Sequence, residues 1–288
     1  MDAPATTPPT SDLAKPWNSA TTLCIARHID ELARGRTLDI LDVGCGDGVA
    51  IELLAGAGHR LYGYDLAYRK DEAERRLKGF FGADYDSRIR FVTSGTTIPF
   101  ADESFDVLFA NQVFEHVMHL DALLKECARV LRPGGALIAL FPFATYPLEG
   151  HVKIPFAHWI PPGALRRCCM YPFYALRLRP VAPARTAREA AAHWDEWLAK
   201  ATFYRFRNEV EGLARAYFER FEVRPQTYIQ ARIDLQRRRG GLLRRLEALG
   251  LSLTKGRLQS FLMTYGFMAV LVIQNPKRAQ AEPPAGSA

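Results

Sequence analysis

The run Leu38-Asp39-Ile40-Leu41-Asp42-Val43 leads straight into Gly44-Cys45-Gly46-Asp47-Gly48, and Val49 to Ala55 then has helical character. A strand, a glycine loop and a helix in immediate succession constrain this chain more than any other feature. Glycines at the C-terminal end of a strand let the backbone turn tightly and approach a ligand closely. The helix that follows presents unpaired N–H groups to the same place. Open α/β sheets bind their ligands there.

The rest of the pattern extends this unit. Ser19 to Ala33 has apolar residues at helical spacing, with Gly35 suited to the C-terminal cap. Strands are expected at Arg60–Tyr64, Ile89–Thr93, Phe105–Ala110 and Ala136–Phe141, with helices at about 69–78 and 120–131. Strands alternating with helices predict an α/β fold, a mostly parallel sheet covered on both faces. Beyond Phe141 the rhythm breaks. Residues 142–183 are rich in Pro, aromatics and Arg; helices are expected at about 187–200 and 203–219, a strand at 221–228 and a last strand at 266–273. The expected organisation is a disordered lead-in over residues 1–18, one domain over 19–275 with an inserted cap at about 142–201, and a mobile tail from 276.

The chain has 288 residues, 48% of them hydrophobic, enough for a sizeable core. No apolar run approaches the roughly 20 residues that span a bilayer, and residues 1–10 lack the pattern of a signal peptide. Cys24, Cys45, Cys127, Cys168 and Cys169 form no CxxC pair or zinc-type spacing, so free and mostly buried thiols, and no metal, are expected. The net charge of +7 is uneven. Residues 164–188 hold six arginines and no acid, and residues 231–257 hold eight basic residues against Asp234 and Glu247. Two local basic surfaces therefore need a reason.

Asp65 closes the second strand, where a carboxylate can accept hydrogen bonds from both hydroxyls of a ribose. The glycine spacing is GxGxG with Asp42 just ahead of it, not the GxGxxG that cradles the pyrophosphate of a dinucleotide. An acid beside the loop suits a cationic ligand better than a pyrophosphate.

These residues carry a resemblance. Ile40 to Gly48 resembles motif I of the class I S-adenosylmethionine-dependent methyltransferases (the type 11 kind). Ile98-Pro99-Phe100-Ala101-Asp102-Glu103-Ser104-Phe105-Asp106 resembles their segment before the fourth strand. Phe114-Glu115-His116-Val117, with Glu126 to Gly135, resembles the segment after it. The resemblance covers about residues 38–141 and implies a Rossmann-like, seven-stranded, mostly parallel sheet with an antiparallel last hairpin. It implies that S-adenosylmethionine is the cofactor. Asp42, Gly44 and Gly46 would line its methionine end, with Asn111 facing the same moiety. Asp65 would hold the ribose and Leu66 would flank the adenine. Many relatives carry an acid near Ser94 for the adenine amine. Here Ser94 and Gly95 stand there, so a hydroxyl or a backbone carbonyl would substitute.

Several signals bear on the acceptor. No Asp/Asn-Pro-Pro-aromatic motif follows the fourth strand, which disfavours a nucleobase amine, and no Pro-Cys pair offers a nucleophile toward cytosine. Glu149 to Trp159 follows the fifth strand at the ligand-binding edge, and its His151 and His158 are the candidate bases. The plain alternative is that both bond loop backbone. His116 and His119 open a helix and read as capping or packing. Phe156, Trp159, Tyr171, Phe173 and Tyr174 read as cap core, with a sugar-stacking platform as the alternative. Leu242, Leu243, Leu246 and Leu249 share one helical side beside Arg244 and Arg245, as a membrane-surface helix, a phosphate site, an RNA surface or a solvated helix would. The expected function is methyl transfer to a hydroxyl on a sugar, glycolipid or similar small or lipid-linked metabolite. An RNA methyltransferase and a catalytically silent cofactor-binding scaffold are the alternatives. The expected setting is cytoplasmic, with an anionic membrane surface as a candidate partner and nucleic acid less favoured.

Overall fold

A computed structural model describes residues 16–93, 97–239 and 268–277. In chain order these form α1 (Pro16–Ala33), β1 (Asp39–Val43), α2 (Val49–Leu54), β2 (Arg60–Leu66), α3 (Lys70–Phe81), the one-turn α4 (Tyr85–Arg88), β3 (Ile89–Val92) and β4 (Phe105–Asn111). There follow α5 (Leu120–Val130), β5 (Leu131–Pro142), α6 (Ala164–Ala175), α7 (Ala187–Ala201), α8 (Arg207–Tyr217), β6 (Phe218–Val223), α9 (Pro225–Arg239) and β7 (Met268–Pro276). The seven strands make one sheet in the order β3-β2-β1-β4-β5-β7-β6. β1 to β5 run parallel, and β7 is antiparallel to both of its neighbours. The expected fold class, a Rossmann-like α/β sheet closed by an antiparallel hairpin, is the observed one.

The central strands are apolar on both faces because both faces are covered. Leu41, Val43, Leu108, Ala110, Leu137 and Ala139 point into one core, with α5 and α8 residues such as Leu124 and Val210. Ile40, Val107, Phe109, Ile138 and Leu140 alternate to the other, which α1, α2 and α3 fill through Ile25, Ile51 and Leu77. A third cluster lies beyond β5, where Val152, Ile154 and Ala157 pack with Met170 and Tyr174 of α6 and Ala190 and Leu198 of α7.

The details depart from expectation in places with clear causes. β5 takes in the Arg132–Gly135 turn as an irregularity: Phe105 pairs with Leu131, and Val107 with Ala136. The strand expected at 221–228 lies at Phe218–Val223, because Pro225 opens α9; proline is favoured at the first helical position. α6 has no forerunner in the pattern, since Pro172 sits inside it. Cys24, Cys45 and Cys127 are buried thiols, while Cys168 and Cys169 are exposed. Of the five aromatics expected as cap core, Phe156, Trp159 and Tyr171 are exposed. The leucine-rich stretch from 242 to 249 lies outside the described residues.

Candidate active site

The end of β1, the end of β2 and the turn after β4 enclose a cleft of about 390 Å³. Its lining includes Asp42, Gly44, Gly46, Asp65, Leu66 and Asn111, six residues expected from the sequence. Ser94 and Gly95, the other two, lie outside the described residues. The glycine loop is shaped by two close approaches. Gly44 has φ +76°, and a Cβ there would lie 2.7 Å from Val113 Cγ2. Gly48 has φ +81°, and a Cβ would meet Leu77 Cδ1 at 2.3 Å. No L side chain meets both the left-handed backbone and the contact. Gly44 N–H and Cys45 N–H both donate to Tyr64 O, which ties the loop to β2.

The Asp65 carboxylate accepts from Gly46 N–H at 2.5 Å and from Leu66 N–H at 2.6 Å, so it organises the loop as well as facing the cleft. Asp42 is buried, and burial raises its pKa well above the usual carboxylate value, with the Asp65 and Asp47 charges adding to the effect. Asn111 Oδ1 is buried and has no donor. An enclosed acid, an unfilled amide acceptor and two more acids give this cleft an electrostatic preference for positive charge.

Neither of the expected base candidates lines the cleft itself, but they part company in what they touch. His158 donates from Nε2 to Ala144 O at 3.2 Å and packs its ring 4.6 Å from the Tyr204 ring, away from the cleft lining. His151 belongs to a network that the sequence did not suggest. Glu149 is wholly buried, and its carboxylate accepts from His151 N–H, Val152 N–H, the Tyr204 hydroxyl and His151 Nδ1. Burial alone would raise the Glu149 pKa; the hydrogen bonds from His151 and Tyr204 outweigh it and bring it down to about 2. Burial and that charge in turn keep Tyr204 protonated, as the donor.

His116 sits in the 3₁₀ turn Phe114–His116 after β4 and lines the cleft. Its Nδ1 lies 2.6 Å from Ala201 O. A carbonyl only accepts, so His116 Nδ1 carries a proton. The same logic applies to His151 Nδ1, 2.8 Å from the ionised Glu149. In both neutral rings Nε2 is then a lone pair, and these two nitrogens face each other at 3.2 Å. Opposed lone pairs repel, and one added proton turns the contact into a hydrogen bond. Burial, and the charge of His151 when it is protonated, lower the pKa of His116. The Trp197 ring lies against both imidazoles, 4.8 Å from His151 and 6.1 Å from His116.

Arg205 supports the turn. Its guanidinium donates to the carbonyls of Phe114, Val117 and Met118, and Phe203 N–H donates to Glu115 O. Sequence reasoning read His116 as capping or packing because it stands just before a helix. The signal that would have found it is its place directly after β4, at the same sheet edge as the glycine loop. Thr22 of α1 also lines the cleft, and no motif marks it. Among the described residues, no group of three or more His, Cys, Asp or Glu side chains is gathered to hold a metal ion.

Residues 41–139 match the family described as a methyltransferase domain. An uncharacterized methyltransferase of Mycobacterium avium (strain 104) is 35% identical over 142 residues, 49% of this chain and 52% of its own length. The sterol 4-C-methyltransferase strm-1 of Caenorhabditis elegans is 34% identical over 113 residues, 38% of this chain and 33% of its own. The mitochondrial ubiquinone biosynthesis O-methyltransferase of Mus musculus is 34% identical over 102 residues, 35% of this chain and 27% of its own. The chain thus spans about half or less of the curated relatives it matches, and what it shares with them is a domain. Residues 41–139 are thus a methyltransferase domain, similar in its motifs to the class I S-adenosylmethionine-dependent methyltransferases.

Proposed function

We propose that this chain methylates a hydroxyl group with S-adenosylmethionine, and that the His116–His151 pair takes the hydroxyl proton. The cleft suits the cofactor. Asp42 and the unfilled Asn111 Oδ1 would hold the ammonium-bearing end, Asp65 the ribose hydroxyls, and Leu66 the flank of the adenine. A cationic ligand would also favour the ionised form of Asp42, which burial disfavours. When bound, S-adenosylmethionine supplies a methyl group made electrophilic by its sulfonium.

The chain's own task is to align the acceptor and remove its proton. As the acceptor oxygen took the methyl group in exchange for its proton, that proton would pass to Nε2 of the pair. It is then held between two nitrogens 3.2 Å apart, and the Glu149 carboxylate balances its charge. Glu149 and Tyr204 are positioning residues: they set the tautomer and angle of His151. The single observation that carries this reading is the pair of opposed Nε2 atoms, both with their Nδ1 protons already committed. The acceptor we favour is a hydroxyl on a sugar, glycolipid or similar small or lipid-linked metabolite. Support comes from the Trp197 ring packed beside both histidines, an apolar group that a ring or chain on the acceptor could meet.

The test is release of S-adenosylhomocysteine with a panel of such acceptors. His116→Gln and His151→Gln are each expected to lower kcat by about 10²–10⁴ with little change in cofactor Kd by calorimetry. Wild-type turnover in both variants would place the base elsewhere. Tight cofactor binding with no turnover on any acceptor would favour a silent scaffold.

A further inference from the structure

α6 is an inverted helix. The face it turns inward carries Arg166, Met170 and Tyr174, one helical turn apart. Arg166 donates from Nε to Asp195 Oδ1 at 2.6 Å and from Nη2 to Asp195 O at 2.6 Å, and Gly163 N–H donates to the same carboxylate. A buried charge pair thus fixes the helix on α7. The opposite face, at spacings of three, four and seven residues, is Leu165, Cys168, Cys169, Pro172 and Leu176, all exposed. Leu165 is 67% exposed and Leu176 69%, values expected of charged side chains and not of leucines. Leu178 continues the patch at 58%. Phe156 and Trp159, their ring centroids 4.8 Å apart and tilted on the turn that precedes α6, are both about half exposed.

Positive charge adjoins this apolar face along the chain, with Arg177 set between Leu176 and Leu178. Residues 164–188 contain no acid. Arg177, Arg185 and Arg188 are exposed, and among the described residues no carboxylate pairs with them. Arg179 is tied back to Lys153 O, which holds the chain after α6 against the turn that carries Phe156. The arrangement is therefore rigid and not a frayed end.

We propose that this face of α6, with Phe156, Trp159 and Leu178, docks on an anionic lipid surface. Leucines and aromatic rings enter the boundary between headgroups and acyl chains, and the arginines meet lipid phosphates. The charge pattern selects this occupant. A second copy of the chain, meeting through a two-fold axis, would oppose arginines to arginines. An RNA strand would satisfy the arginines and leave the leucines in water. No described helix is long and apolar enough to cross a membrane, so the contact is one of lying on the surface. The proposal is independent of which acceptor is methylated, because its readout is binding.

The experiment is sedimentation of the full chain with phosphatidylcholine vesicles, with and without phosphatidylglycerol. Binding is expected only with phosphatidylglycerol, and added salt should weaken it. Leu165→Gln, Leu176→Gln and Leu178→Gln together should lower the partition coefficient about tenfold or more, with cofactor Kd and Tm unchanged. Arg177→Gln, Arg185→Gln and Arg188→Gln together should lower it about as far and flatten the salt dependence; this variant carries the test should the leucine variant fold poorly. Equal binding to neutral vesicles, or wild-type binding by the arginine variant, overturns the proposal. So does a self-association in solution that the leucine variant abolishes without change on vesicles, or retention on single-stranded RNA in place of vesicles.

Discussion

Glu115 is closed off from solvent in the turn after β4, and neither of its carboxylate oxygens has a donor from another residue. Burial raises its pKa to about 8, and the nearby Glu149 charge pushes the same way. The folded chain therefore keeps a proton that the unfolded chain releases near the ordinary value of 4.5. The folded state binds more protons between those two values, so stability falls as pH rises from 4.5 toward 8 and levels above it. Glu115→Gln keeps the shape and removes the titration. It should match wild type in acid and exceed it by a few kcal/mol, in order of magnitude, at alkaline pH, as denaturant melts across pH will show. A variant that is no more stable than wild type at alkaline pH would mean that the fold leaves the Glu115 pKa near its ordinary value. At this scale the sequence was legible where chemistry is local. Asp42, Gly44, Gly46, Asp65 and Asn111 all fall on one cleft because a strand end and the loop after it are read directly. The His116–His151 contact spans 35 residues, and its tautomers are set by Ala201 O and Glu149, so no spacing rule announces it.

The turn that carries Glu115 and His116 depends on a neighbouring element. Arg205, just ahead of α8, donates to three of the turn's carbonyls, at Phe114, Val117 and Met118. Hydrogen bonds from a charged donor contribute more than neutral ones, and half-buried carbonyls left without it must find water. Arg205→Met keeps much of the side-chain volume and removes every donor. It should cost about 1–3 kcal/mol and speed amide exchange from His116 to Met118 more than in α5. Uniform exchange across the fold would show that Arg205 acts on global stability alone. Elements with one consistent signal were legible: α3, α5 and α7 fall within a few residues of their expected ranges. Those with mixed signals were not. Pro172 masks α6, whose support is the buried Arg166–Asp195 pair and not its own pattern. Pro225 splits a stretch that reads as a single strand from Phe221 to Tyr228.

At the scale of the whole molecule, a ligand that binds only the folded chain stabilises all of it. S-adenosylmethionine at a hundred times its Kd should contribute about 2.7 kcal/mol, a rise in Tm of about 5 °C for a chain of this size. NAD at the same concentration should leave Tm unchanged. Asp65→Asn should shrink the cofactor shift, because its amide sets a donor against Gly46 N–H or Leu66 N–H. An undiminished shift in that variant would remove Asp65 from the cofactor's contacts. The alternation of strands and helices made the parallel half of the sheet legible. The antiparallel half came from the resemblance, because the partner of β5 lies far along the chain. That distance has a bearing on biosynthesis. β7 sits between β5 and β6 and comes later in the chain than either. As the polypeptide emerges, β5 keeps an open edge and β6 has no strand to lie against until β7 follows. The strand that joins β6 to the parallel part of the sheet is thus the last described one to be made, so a nascent chain halted before β7 presents an open β5 edge and an unpaired β6.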